Sequence, residues 1–156
     1  MRIRIAAIGR VRAGAEAQLI EDYQGRIGVA GRSLALGPID IIEAEAQRAG
    51  DKDREADLLL NATPDGARKI LLDERGDNWP SRTLAEKLGR WRDGGASSVC
   101  FWIAGPDGAS AALKAAADDK LAFGPQTWPH KLVRVMLLEQ IYRAVTILGG
   151  NPYHRD

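Results

Sequence analysis

Three consecutive residues near the C-terminus, Tyr153, His154 and Arg155, combine a stacking ring, a group that titrates near neutral pH and a fixed cation. Together they are suited to holding an RNA base and its phosphate. The alternative is a frayed terminus, as most final residues are; against it, the set follows directly on a long apolar stretch. Elsewhere the chemically capable side chains are sparse. His130 falls at the start of that stretch and reads as structural. Cys100 is the single cysteine and lies in the apolar run SSVCFWIA at 97–104, where a buried free thiol is the default reading. One cysteine excludes a disulfide framework or a cysteine-built metal site, and two histidines without a carboxylate cluster offer no metal site.

The element that must position the tail runs from about Pro129 to Leu148. Pro129 suits a first helical residue, because its missing N–H would have no partner there. Leu132, Val133, Val135, Met136, Leu137, Leu138, Ile141, Ala144, Val145, Ile147 and Leu148 cover most of the helix circumference. Glu139, Gln140 and Arg143 make one polar stripe. A helix apolar nearly all round is buried on several sides. Lys131, Arg134, Glu139 and Arg143 interrupt it, which excludes a membrane span, so in a chain this short a second protein surface is the expected cover. Gly149-Gly150 supplies the helix stop.

The 156 residues suit one domain, and a formal net charge of +1 leaves an RNA-binding surface to local clusters of Arg and Lys. Arg48, Lys52, Arg54, Arg68 and Lys69 are candidates for such a patch, with an ordinary solvated surface as the alternative. The N-terminal MRIRIAAIG alternates and lacks the continuous apolar core of a signal peptide, which makes a cytoplasmic protein the expectation. The same alternation predicts a strand over Met1–Gly9. A helix follows over Ala15–Ile27, a strand over Ile39–Ala44 and a helix over Asp51–Ala62. Further on come a strand over Lys69–Glu74 ending at Arg75-Gly76, a helix over Ser81–Asp93, a strand over Ser97–Ala104 and a helix over Ala109–Ala117. This alternation predicts an α/β fold, a mostly parallel sheet with helices on both faces. Such sheets bind ligands at the carboxyl ends of their strands, where three loops should meet: Leu72–Gly76, Ala104–Gly108 and Phe123–Trp128. None matches a phosphate-cradling loop or a dinucleotide fingerprint. A ligand with an adenine ring and no phosphates suits their apolar residues better.

LLDERG at 71–76, FWIAGPDG at 101–108, LAFGPQTWPHKLVRVMLLEQIYRA at 121–144 and NPYHRD at 151–156 resemble the bacterial ribosomal RNA large-subunit methyltransferase H family, of the SPOUT class. The resemblance spans essentially the whole chain. It implies a single domain with a C-terminal trefoil knot, a homodimer, S-adenosylmethionine as methyl donor and methylation of N3 of a pseudouridine in 23S rRNA of the large ribosomal subunit. No metal and no membrane are implied. The knot is a contribution of the resemblance alone, since chains as a rule do not thread their own loops.

Carried over by position, the family's cofactor contacts fall on Leu72, on Ala104 and Gly105, and on Phe123, Gly124, Pro125, Gln126, Thr127 and Trp128. Ala104 stands where the family usually has the first of two glycines. Gly124-Pro125-Gln126 departs from the more usual polar Ser-Lys or Ser-Ala sequence, so backbone contacts are expected to outlast side-chain ones. For the chemistry, the pseudouridine N3–H must lose a proton, and His154 is the candidate base, with a phosphate or dimer contact as its alternative. Arg143 and Arg155 are candidates for binding phosphate or stabilising charge on the uracil oxygens, although Arg143 is equally placed to pair with Glu139. Tyr153 is expected to stack on the base or to hold the tail. A non-catalytic RNA- or ribosome-binding protein and a tRNA methyltransferase of the same fold are the rival readings.

Overall fold

The computed structural model describes residues 1–48 and 50–155. Five strands form one parallel sheet: β1 (Arg2–Ile8), β2 (Ile39–Ala44), β3 (Arg68–Asp77), β4 (Ser98–Ile103) and β5 (Asp119–Leu121), in the order β2-β1-β4-β3-β5. The helices are α1 (Ala15–Ala30), α2 (Lys52–Asn61), α3 (Ser81–Asp93), α4 (Ala111–Ala116) and α5 (His130–Leu148). Pro129 sits at the cap of α5, which begins one residue after the expected start.

The central strands read as continuous apolar runs because both their faces are covered. On one face Ile3, Ile5, Val99, Phe101 and Ile70 pack with Ile27 of α1, Leu84 and Leu88 of α3, and Leu137, Leu138, Ile141 and Val145 of α5. On the other, Ala6, Ile8, Leu71, Cys100 and Trp102 meet Ala56 and Leu59 of α2 and Leu113 of α4. Cys100 is fully buried, and burial pushes its thiol pKa up, as expected of an inert core cysteine. Much of the cover for α5 comes from the chain's own α1 and α3 rather than from elsewhere. A strip remains open, where Leu132 is 39% exposed and Val133 and Met136 are half-buried.

β3 departs from the expected end at Arg75-Gly76. Leu72 and Asp77 both pair with Leu121 of β5, and residues 73–76 loop out between them. Beyond the loop the chain stays against β5: the Ala122 N–H donates to the Asp77 carbonyl at 3.0 Å, and the Gly124 N–H to Asn78 Oδ1 at 2.8 Å. Gly76 allows the approach. A Cβ there would lie 2.8 Å from the backbone of both Lys120 and Leu121. Two backbones crossing this closely are consistent with the threading that the resemblance implies. Arg68 and Lys69 open β3 at the amino edge of the sheet, and Arg68 is tied to Asp119 at 2.8 Å, whereas Lys52 lies at the carboxyl edge. The basic residues therefore do not form one patch.

Candidate active site

All five strands run the same way, so their carboxyl ends share one edge, and the three expected loops meet there around a cavity of about 700 Å³. Leu72, Ala104, Gly105, Phe123, Gly124, Gln126, Thr127 and Trp128 line it; Pro125 does not. Each loop is held by its own bonds. The Trp128 indole N–H donates to the Phe123 carbonyl at 3.0 Å, closing the third loop across Gly124, whose φ of 91° lies in the left-handed region. In the second loop the Gly108 N–H donates to the Gly105 carbonyl at 3.0 Å. In the first, Asp73 accepts from the Arg75 N–H at 2.9 Å and pairs with Lys114 of α4 at 2.9 Å. Burial works against the Asp73 charge, but those two partners outweigh it and hold the carboxyl below its usual range.

Sequence reasoning passed over three residues at this edge. His130, read as structural, lines the cavity, with its Nε2 3.3 Å from where a Cβ of Gly9 would lie. Burial, then the cations of Arg134 and Lys131, lower its pKa and favour the neutral ring. Arg134 is fully buried. It pairs with Glu43 and donates from Nη2 to the Gly9 carbonyl at 3.1 Å, locking α5 to the ends of β1 and β2. Glu55 is 5% exposed and accepts from the Gly105 N–H at 3.3 Å. The signal for Glu55 was its register: with Ala56 and Leu59 it falls on the buried face of α2. A Cβ on Gly105 would lie 2.7 Å from both Glu55 carboxylate oxygens, so the space that this glycine leaves open is taken by Glu55.

The expected catalytic residues gather elsewhere. Arg143 makes a two-pronged contact with Glu139, the alternative partner foreseen for it, and its guanidinium lies 4.9 Å from the Tyr153 ring centroid. Its Nη1 is 3.3 Å from His154 Nδ1. The Tyr153 hydroxyl donates to Glu139 at 3.1 Å, and its ring meets Tyr142 edge-on at 4.7 Å. Burial, together with Tyr23 and Glu139, raises the phenol pKa far above its ordinary value. The tail is thus folded onto α5 rather than frayed. Arg155 is exposed. None of Arg143, Tyr153, His154 and Arg155 lines the cavity.

Comparison with known proteins decides the family. The model of a family described as "Predicted SPOUT methyltransferase" matches residues 1–154. The chain belongs to the SPOUT methyltransferase family. Curated members resemble it along their whole length. The protein named ribosomal RNA large subunit methyltransferase H from Phenylobacterium zucineum is 52% identical over 156 residues, covering 100% of both chains. Proteins of the same name from Dinoroseobacter shibae and Caulobacter vibrioides are 49% and 50% identical, with at least 99% of each chain covered. Membership of this family implies a methyl donor. Among the described residues no helix is long and apolar enough to cross a membrane, and no three ligating side chains converge as a metal site would need.

Proposed function

We propose that this chain is an S-adenosylmethionine-dependent methyltransferase of N3 of a pseudouridine in 23S rRNA of the large subunit, acting as a homodimer whose sites are shared between chains. The observation that carries the shared site is the separation just described: the loop cavity and the Arg143–Tyr153–His154 cluster are both well formed, yet they do not meet within one chain. The open strip of α5 beside Leu132 and Met136 offers the surface through which a second copy would bring them together, and the names of the full-length relatives support the rRNA substrate.

The cavity fits the cofactor. Its volume is in the range of small-molecule sites, and Leu72, Phe123, Val133 and Trp128 give it apolar walls, while loop backbone at Ala104 and Gly124 is open to it. When bound, S-adenosylmethionine supplies an electrophilic methyl group. Leu72, Ala104, Gly105, Phe123, Gly124, Gln126, Thr127 and Trp128 would bind and orient the ligand. Tyr153 stacks on the target base, Arg143 and Arg155 hold phosphate or the uracil oxygens, and His154 takes the N3 proton directly or through a water. Much of the rate comes from this positioning.

Removing residues 151–156 should leave folding and cofactor binding intact while abolishing methyl transfer to ribosomal subunits. His154→Ala should cost about a hundredfold in rate if the imidazole takes the proton. Heterodimers of a His154→Ala chain and a chain blocked at Gly124 should recover one working site. Confirmed heterodimers without activity would mean that each chain completes its own site.

A further inference from the structure

Glu55 is a buried acid that the reading so far does not use. It is 5% exposed, and the single hydrogen bond to its carboxylate among the described residues comes from the Gly105 N–H at 3.3 Å. None of the described cations forms an ion pair with it. Lys52, about one turn before it on α2, lines the cavity and is exposed. The N-terminus of α2 favours a negative charge at this position, but such an effect is modest beside the cost of taking a carboxylate out of water. A buried charge normally has a partner.

The geometry shows where a partner would come from. Both carboxylate oxygens lie 2.7 Å from where a Cβ of Gly105 would be, so Glu55 rests directly on the backbone of a residue that walls the cavity. Gly105 lines the cavity and has no side chain, so its bare backbone stands beside the carboxylate at the cavity wall. Inside a protein, charges are screened less than in water. Three acids line the cavity itself: Asp73, already paired with Lys114 at 2.9 Å, Glu74, 4.0 Å from the Arg75 guanidinium, and the exposed Asp107.

We propose that Glu55 is the counter-charge for a cationic ligand in the loop cavity, acting across the bare backbone of Gly105. The inference rests on the cofactor reading above, in which the ligand is S-adenosylmethionine, with a sulfonium and an ammonium. Glu55 touches neither the ligand nor the reacting atoms. It is a positioning residue that makes the cavity prefer a cation while anchoring the Ala104–Gly108 loop.

Titration calorimetry on the full-length protein tests this with two probes, S-adenosylmethionine and neutral adenosine. Glu55→Gln keeps the shape and an acceptor for the Gly105 N–H but removes the charge. It should weaken S-adenosylmethionine about tenfold and leave adenosine unchanged. Glu55→Asp keeps the charge and should keep most of the preference for the cation. Equal weakening of both probes in the Gln variant would show that Glu55 only shapes the loop. Unchanged affinity for S-adenosylmethionine, or a loss of preference in the Asp variant as large as in the Gln variant, would also overturn the proposal. If the unaltered protein binds neither probe, the cofactor reading falls and takes this inference with it. If it binds both and the variants behave alike, Glu55 alone is refuted.

Discussion

Replacing Gly76 by Ala puts a methyl group where β3 turns across β5. The ideal Cβ would sit 2.8 Å from Leu121 N, 2.8 Å from the Lys120 carbonyl carbon and 2.9 Å from that of Leu121. Ordinary contacts between such atoms begin at about 3.5 Å, so the two backbones must separate by roughly 0.7 Å. Gly76 is not in the left-handed region, so the penalty is steric rather than conformational. Overpacking usually costs about 1–3 kcal/mol, and the upper end applies because no side-chain rotation can relieve a clash with backbone. For a domain of this size, about 3 kcal/mol lowers Tm by roughly 6–12 °C. The separation would also disturb the Ala122–Asp77 and Gly124–Asn78 hydrogen bonds that hold the cavity's third loop. Thermal unfolding followed by circular dichroism measures the loss, with Gly25→Ala as the control. Nothing lies within 4 Å of a Cβ at Gly25, which is inside α1, so that variant should gain about 0.5–1 kcal/mol. A Gly76→Ala protein that melts within about 2 °C of the original would refute the steric reading of the crossing.

Arg134→Met should cost about 3 kcal/mol in urea unfolding, because it strands Glu43 and removes a donor from the Gly9 carbonyl; changing Glu43 to Leu as well should recover part of that loss. A second prediction concerns pH. The His130 pKa is lowered in the folded protein, so below about 6.5 the unfolded chain takes up the proton more readily than the folded one. Stability from this group is therefore complete above that pH and is lost as pH falls through the lowered value. Tm should drop on acidification through this range, and His130→Gln should flatten the curve. Equal slopes for the two proteins would remove His130 from the account.

The long periodic elements were legible because packing agrees with their local patterns. β2 and α3 have the bounds that their apolar spacing gave, and α5 begins one residue after Pro129. β5 was missed because three residues, Asp119–Leu121, are too few to show a period. The true end of β3 was hidden for a different reason: Arg75-Gly76 has the composition of a turn, and only the neighbouring backbone shows that Gly76 serves a crossing. At the site, the loops were foreseen because parallel strands deliver their ends to one edge. Glu55 was not, since one acid among the four of DKDREADLLL looks like surface until its register against Leu59 is followed. His130 was judged by its place in a helix rather than by what that helix end faces. Pro125 is near the cavity in sequence but is not in its wall.

The segment Leu121 to Gly124 has a surface on each of two spaces. One side closes the loop cavity; the other, with Tyr23, Trp79, Leu84 and Met136, lines an apolar groove between α1, α3 and α5. It is a party wall between two rooms. Any displacement of the wall by an occupant of one room changes the dimensions of the other, and the resulting coupling is reciprocal. Whatever factor an occupied groove applies to affinity in the cavity, an occupied cavity must apply to affinity in the groove.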